Sequence, residues 1–178
     1  PACMRRELRS FKQLRKSWYM FFFQIPWLPE KLFTARNAKA IGDAFTNMAV
    51  DESRFPDRVT DVFRESAQKP GAMRSMINYY RAALRGAKAS QNEELPIIET
   101  PTLMIWGLED KALGRETTEG TDEHVRDLTI RYLPGVSHWV QQEAPEVVNT
   151  ILLAWLDGQE VPEAGDVSWT RMPDPAFS

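Results

Sequence analysis

The chain has 178 residues, of which 43% are hydrophobic and 26% charged, as in a globular protein and unlike a disordered chain. One cysteine and two histidines exclude a disulfide framework and a cysteine-based zinc site within the chain, so we expect no metal and no cofactor. Because no run of about 18 apolar residues is present, we expect no membrane helix. The single cysteine and an N-terminus without a signal peptide's order of parts lead us to expect a reducing, cytoplasmic setting.

The charge is distributed unevenly along the chain. Residues 1–40 hold nine Lys or Arg against two Asp or Glu, whereas residues 90–178 hold five against seventeen. A basic segment can bind nucleic acid. However, the aromatic residues of this segment are clustered and are not interleaved with Lys and Arg, as a base-stacking surface would require. We therefore expect no nucleic-acid partner and interpret the basic segment as facing an acidic protein surface.

Helical periodicity extends over the first 86 residues. A first amphipathic helix is predicted from apolar residues at three- and four-residue steps, namely Met4, Leu8, Phe11 and Leu14. Residues 17–24 are apolar all round and must be buried or line a cavity, and Pro26 and Pro29 end this segment. A further helix is predicted over 29–48.

Two more helices are predicted before a polar linker over residues 87–96. Pro56 suits the first turn of one helix, whose buried stripe is expected to consist of Val59, Val62 and Phe63. Pro70 opens the other helix, and Gly86 is its expected C-cap. One face of this second helix carries Met73, Met76, Ile77, Tyr80 and Leu84, whereas Tyr79 points elsewhere.

The second half of the chain shows an α/β pattern. Residues 101–107 form a short apolar run typical of a strand buried on both faces of a parallel sheet, and residues 128–133 form a second strand. Helices are expected over about 115–126 and from Pro145, the latter with an apolar stripe that includes Val147, Ile151, Leu152 and Leu156. Strand, helix, strand, helix predicts an α/β unit, and residues 159–178 read as a tail.

Two polar residues follow the two predicted strands. Asp110 comes just after the first strand and His138 just after the second. Since open α/β sheets bind ligands at the carboxyl ends of their strands, we expect these side chains to lie close together. A carboxylate can hold an imidazole in one tautomer and stabilise its charged form, which is the base half of a catalytic triad. His124 lies in an acidic segment and is given no role.

The wider pattern resembles the last third of an α/β-hydrolase. The matching motifs are Pro101-x-Leu103-x-Ile105-Trp106-Gly107-x-x-Asp110 and Gly135-x-x-His138, followed by Pro145 and an amphipathic helix. The stretch before them resembles the cap of epoxide hydrolases, in residues 17–26 with Tyr19 and in Asn78-Tyr79-Tyr80-Arg81. The resemblance implies an α/β-hydrolase fragment with a helical cap over 1–90, the last core strands and helices over 91–158, and a tail over 159–178.

The resemblance also implies a role for each matching residue. Asp110 would be the triad acid, and His138 the base that activates a water. Tyr19 and Tyr80 would bind the epoxide oxygen and protonate it as the ring opens, which a neutral phenol with a pKa near 10 can do. An apolar pocket for a small apolar epoxide would be formed by Trp18, Met20, Phe22, Phe23, Trp27 and Trp139.

The nucleophile of that family has no counterpart in this sequence. The chain contains no Gly-x-Asp-x-Gly, no Gly-x-Ser-x-Gly and no His-Gly motif. We therefore expect the nucleophile and the oxyanion hole to lie in a missing N-terminal half of about 130–150 residues, as usual domain sizes suggest. Without them no covalent ester forms, so the chain alone is predicted to be inactive. A homodimer is left open.

Three other readings remain. A haloalkane or haloacid dehalogenase would use the same Asp–His pair, but a halide leaves without a proton and needs N–H donors, not two phenols. A serine esterase is open because the nucleophile is unseen. A degenerate relative that only binds a partner is supported by the absent nucleophile and opposed by the retained acid, base and tyrosines.

Overall fold

The computed structural model describes residues 18–89 and 96–167. The helix predicted around 4–14, most of the predicted linker, and the end of the tail with Trp169 and Phe177 lie outside the described residues. Within them, a helical part over residues 18–89 is followed by an α/β part over residues 96–167, which confirms the predicted fold class.

The helical part contains four helices and one short 3₁₀ turn. The helices are α1 (Trp18–Phe22), α2 (Leu28–Met48), α3 (Asp57–Gln68) and α4 (Ala72–Ala89), and the 3₁₀ turn Glu52–Arg54 precedes α3. The buried side chains at the centre of this part are Phe23, Ala38, Ala67, Met73 and Ile77. The predicted C-cap at Gly86 is wrong, because α4 continues to Ala89.

The buried face of α3 differs from the predicted stripe. Val62 is 60% exposed and Phe63 is 37% exposed, whereas Thr60 and Ala67 are buried. The reason is that α3 turns the face with Thr60 and Arg64 toward Gly42 of α2, where an added Cβ would lie 3.5 Å from the Cβ of Thr60 and 3.1 Å from Cδ of Arg64. Met76, predicted on the buried face of α4, is likewise 49% exposed.

Helix α2 is interrupted by a left-handed turn that the sequence does not predict. Arg36, Asn37 and Ala38 have φ values of 52°, 57° and 51°. Left-handed backbone costs about 1–2 kcal/mol per residue with a Cβ, so the turn needs support from elsewhere. Two side chains of α3 supply it: Arg64 Nε donates to the Asn37 carbonyl oxygen at 2.9 Å, and Gln68 Nε2 donates to Asn37 Oδ1 at 2.6 Å.

The α/β part is built on two parallel strands. Strand β1 (Thr102–Gly107) pairs with β2 (Leu128–Leu133) in a register that runs from Thr102 opposite Leu128 to Gly107 opposite Leu133. Helices α5 (Val140–Glu143) and α6 (Pro145–Leu156) follow β2. The core between α6 and the sheet contains Leu133, Val136, Ala144, Val147, Val148 and Ile151, with Ala164 from the tail.

The helix predicted over 115–126 is wrong. Two 3₁₀ turns, Arg115–Thr118 and Thr121–Glu123, occupy that segment instead. Three threonine hydroxyls bond to the carbonyl oxygen three residues earlier, at Thr117, Thr118 and Thr121. Such local bonds compete with helix formation, and Gly120 at φ 77° separates the turns.

Strand β1 is predicted to be buried on both faces, but in the described part of the chain it is only partly buried, and so is β2. All strand residues except Gly107 and Leu133 keep intermediate exposure. On α6, Leu152 and Leu156, predicted in its buried stripe, are 39% and 62% exposed. The start of the predicted tail is packed: Val161 and Val167 contact the core.

Candidate active site

Asp110 is fixed by the loop that follows β1. Its Oδ1 accepts hydrogen bonds from the backbone N–H groups of Ala112 at 2.7 Å and Leu113 at 2.8 Å. Its Oδ2 lies 2.7 Å from Nδ1 of His138, and its side chain is 5% exposed. One oxygen therefore orients the carboxylate, and the other holds the imidazole.

The loop that carries His138 lies directly against the end of β1. An added Cβ at Gly107 would lie 2.0 Å from the carbonyl oxygen of Ser137, so no other residue type fits without a shift of the backbone. The Glu109 carboxylate also joins the two loops, because its Oε2 accepts from the N–H groups of Gly135 at 2.7 Å and Val136 at 3.1 Å. The sequence motifs thus correspond to a close contact between two strand ends.

The hydrogen bond to Asp110 determines how His138 can act. A carboxylate only accepts, so Nδ1 carries the proton, and Nε2 is left free to accept one when the ring is neutral. The His138 side chain is 33% exposed, which leaves the ring accessible from one side. This is the arrangement of an acid–base pair that can take a proton from water.

The two phenols predicted to act together lie together. The rings of Tyr19 and Tyr80 are 5.8 Å apart and nearly perpendicular. Burial raises the pKa of Tyr19, and the neighbouring Tyr80 and the carboxylate of Asp110 add to the rise; burial also raises the pKa of Tyr80, with a further contribution from Tyr79. Both phenols therefore keep their protons at neutral pH.

The apolar residues predicted to line a pocket are in different surroundings. Phe23 is 9% exposed and packs against both Tyr19 and Tyr80, at ring distances of 5.7 and 5.0 Å. Met20 and Phe22 are half-buried, whereas Trp18 and Trp27 are 64% and 63% exposed. The structure therefore brings Phe23 to the phenols and leaves Trp18 and Trp27 at the surface.

Trp139, next to the base, contacts the helical part. Its ring lies 4.3 Å from that of Phe45 in α2 and 4.9 Å from that of His138. Its indole N–H is buried and has no hydrogen-bond partner among residues 18–89 and 96–167. The residue thus joins α2 to the base-bearing loop.

Sequence reasoning missed Glu143, a buried acid at the end of α5. It is 3% exposed, and its carboxylate accepts hydrogen bonds from the backbone of both parts of the chain. The sequence feature that could have pointed to Glu143 is its place five residues after His138, as the one charged residue of a short helix. Lys111 was also missed: its Nζ donates to the carbonyl oxygen of Asn47 at 2.9 Å, which attaches the acid loop to the end of α2.

Neither a metal cluster nor a membrane span is found where the structure describes the chain. No group of three or more His, Cys, Asp or Glu side chains in residues 18–89 and 96–167 is arranged to hold a metal ion. No helix in those ranges combines the length and the apolar character needed to cross a bilayer.

Curated relatives match most of the chain. It is 35% identical over 162 residues to "Epoxide hydrolase 1" of Caenorhabditis elegans, covering 88% of this chain and 39% of that protein. It is 32% identical over 148 residues to "AB hydrolase superfamily protein YfhM" of Bacillus subtilis, covering 83% of this chain and 50% of that protein. The chain thus spans about half or less of the length of these relatives. No family model matches the sequence.

A solved structure agrees with these relatives on the fold. A Bacillus megaterium epoxide hydrolase in complex with an inhibitor superimposes with a TM-score of 0.75 at 23% sequence identity, covering 87% of this chain and 56% of that chain. The helical part and the two parallel strands therefore form a portion of the fold of that protein. Together with the curated relatives, this confirms the resemblance found in the sequence to the epoxide hydrolases of the α/β-hydrolase superfamily.

Proposed function

We propose that the chain is the part of an epoxide hydrolase that supplies the base half of the triad and the proton donors. The observation that carries the proposal is the 2.7 Å contact between His138 Nδ1 and Asp110 Oδ2, and the adjacent phenols of Tyr19 and Tyr80 support it. The substrate is a small apolar epoxide, and the product is a vicinal diol.

The proposed reaction has two steps. An Asp carboxylate outside this chain attacks an epoxide carbon, the C–O bond breaks, and a phenol of Tyr19 or Tyr80 gives its proton to the leaving oxygen. In the second step His138 Nε2 takes a proton from water, and the hydroxide attacks the ester carbonyl. The ester bond to the Asp then breaks, the departing alkoxide takes the proton held by His138, and the proton left on the Asp carboxyl returns to the phenolate.

The raised pKa values of the phenols support the first step. An alkoxide is a strong base, and it takes a proton from a phenol readily. Because burial raises the pKa of Tyr19 and Tyr80, both remain donors at neutral pH and do not compete as anions with the proposed nucleophile. Asp110 stays the acceptor of the Nδ1 proton throughout and stabilises the imidazolium that forms.

We propose that the partner of this chain is the N-terminal half of the same hydrolase, with the nucleophile and the oxyanion hole. Support comes from the share of the relatives that the chain spans, 39% and 50%, and from the absence of a nucleophile motif in the sequence. In this proposal residues 1–90 are a cap, 91–158 the end of the core, and 159–178 a tail.

The experiment is an assay of the chain with an aryl epoxide, alone and with the N-terminal half added. We expect turnover only when both halves are present. Turnover by the chain alone would refute the proposal, and no turnover by the assembled halves would leave the partner-binding reading in its place. A diol formed with one ¹⁸O from labelled water after several turnovers is the expected product.

Replacing both phenols separates the proposal from the related activities. Tyr19→Phe with Tyr80→Phe is expected to abolish epoxide opening in the assembled protein, because the leaving oxygen then has no donor. Tyr79→Phe is the matched control, since Tyr79 is 73% exposed. If the double variant retains dehalogenation or ester hydrolysis at the unmodified rate while the parent does not open epoxides, a dehalogenase or a serine esterase replaces the proposal.

A further inference from the structure

Glu143 is a buried carboxylate whose acceptor positions are all occupied by donors from two separate parts of the chain. Oε1 accepts from the N–H groups of Val50 at 2.7 Å and Asp51 at 3.0 Å, in the segment that links α2 to the first 3₁₀ turn. Oε2 accepts from the N–H of Ser137 at 2.8 Å and from the Ser137 hydroxyl. One side chain therefore bridges the helical part and the residue next to His138.

The buried charge of Glu143 is fully paired, and the pairing fixes two segments of the chain relative to each other. Burying a carboxylate is costly unless each oxygen is paired, and here four hydrogen bonds offset that cost. Three of the donors are backbone N–H groups. Their positions are set by the main chain and do not change when a side chain changes rotamer. A shift of the segment at Val50 relative to the loop at Ser137 would break bonds on one oxygen or the other. The carboxylate thus fixes the distance between the two segments.

Neighbouring contacts hold the same junction but do not replace the carboxylate. Gln142 Nε2 donates to the Arg54 carbonyl oxygen at 3.1 Å, and the ring of Trp139 lies 4.3 Å from that of Phe45 at a tilt of 33°. Gln142 lies in α5 and Trp139 directly precedes it, so both contacts attach this helix to the helical part. Of these three side chains, Glu143 is the one that bonds to the backbone of Ser137, which immediately precedes the base.

We propose that Glu143 is a positioning residue that couples docking of the helical part to the orientation of the His138 ring. The coupling stands on the four hydrogen bonds. Its consequence for catalysis rests on the proposed function, in which the helical part carries the proton donors and His138 is the base. In this arrangement the base points toward the acid only while the segment at Val50 is seated.

The test compares the parent chain with Glu143→Gln. A glutamine keeps one acceptor oxygen, and its NH₂ group must face either the Val50 and Asp51 N–H groups or the Ser137 donors, so one side of the bridge is lost. We expect hydrogen exchange at the amides of Val50 and Asp51, or of Ser137, to speed up about tenfold or more. We also expect the ¹⁵N signals of the His138 imidazole to shift away from the Nδ1–H tautomer.

The second imidazole of the chain is an internal reference for this measurement. The chain has two histidines, and His124 lies after the second 3₁₀ turn, so its signals should stay unchanged. Glu163→Gln is the matched control, because its carboxylate is 67% exposed and pairs with Arg131 at 3.3 Å, away from the junction. A merely structural role for Glu143 would lower stability and leave the His138 signals of the folded protein unchanged, which would overturn the proposal.

Ser137→Ala keeps the proposal testable if Glu143→Gln does not fold. It removes the hydroxyl donor and leaves the Ser137 N–H and the bonds to Val50 and Asp51 in place. We expect a smaller shift of the His138 signals in the same direction, and unchanged signals would overturn the proposal. Neither measurement uses turnover. A failure to hydrolyse epoxides would therefore contradict the proposed function but not the coupling between Glu143 and the His138 ring.

Discussion

Replacing Asp110 by Asn tests whether this carboxylate sets the tautomer of His138. The two backbone N–H groups at Ala112 and Leu113 lie 2.7 and 2.8 Å from Oδ1 and will keep the one remaining oxygen of the amide. The NH₂ group then faces His138 Nδ1, which can only accept if the ring proton moves to Nε2. The substitution is therefore expected to reverse the tautomer and to remove the free acceptor on Nε2.

The size of the effect follows from the bonds exchanged. A hydrogen bond to a charged group contributes about 1.5–3 kcal/mol and a neutral one about 0.5–1.5 kcal/mol. The substitution removes a bond of the first kind, which favours Nδ1–H, and adds one of the second kind, which favours Nε2–H. The tautomer balance therefore changes by roughly 2–4.5 kcal/mol, or about 30- to 2,000-fold. In an assembled triad the same exchange lowers kcat by about 10⁴.

The assay is a ¹⁵N-detected spectrum of the imidazoles at a pH where both rings are neutral. We expect Nδ1–H in the parent chain and Nε2–H in Asp110→Asn, with His124 unchanged. Asp157→Asn, at an exposed position after α6, is the control. If Asp110→Asn and Asp157→Asn give the same His138 spectrum as the parent, Asp110 does not set the tautomer and the reasoning fails.

Two further predictions concern stability. Ile151 is completely buried in the core, so Ile151→Ala should lower the free energy of unfolding by about 2–5 kcal/mol in a urea titration. Leu153→Ala, at a 59% exposed position, is the control and should change it by about 0.5 kcal/mol or less. Equal losses in the two variants would contradict the assigned core. The Arg81 guanidinium, 2.6 Å from Glu30, lowers the pKa of that carboxyl from its usual 4.5, so this contribution to stability is present above about pH 4.5 and is lost as the pH falls through the lowered value. The stability advantage of the parent over Glu30→Gln should therefore shrink in acid, and a constant difference between pH 7 and pH 3 would refute this.

The sequence was informative where local chemistry decides the structure. The apolar runs at 102–107 and 128–133 became two parallel strands, and the residues after them, Asp110 and His138, lie in hydrogen-bond contact. Helical spacing also separated Tyr80, half-buried beside Tyr19, from Tyr79, which is exposed. To predict these features, it is enough to know the helical period and the residue at which each strand ends.

The missed features depend on groups far apart in the chain. The left-handed turn at Asn37 is held by Arg64 and Gln68, 27 and 31 residues later. Glu143 binds backbone N–H groups up to 93 residues away. A backbone donor has no signature in the sequence, so the buried carboxylate gave no pattern that would pair it with Val50.

The two-stranded sheet has a consequence for handling the chain by itself. In the part of the chain that the structure describes, β1 and β2 pair only with each other, so each strand has an outer edge that no other described strand covers. Such edges are templates for strands of another molecule, and the partly exposed apolar side chains beside them favour the addition. Purified without material to cover these edges, the protein is expected to aggregate by strand addition as its concentration rises, and producing it together with strands that occupy both edges should suppress that growth.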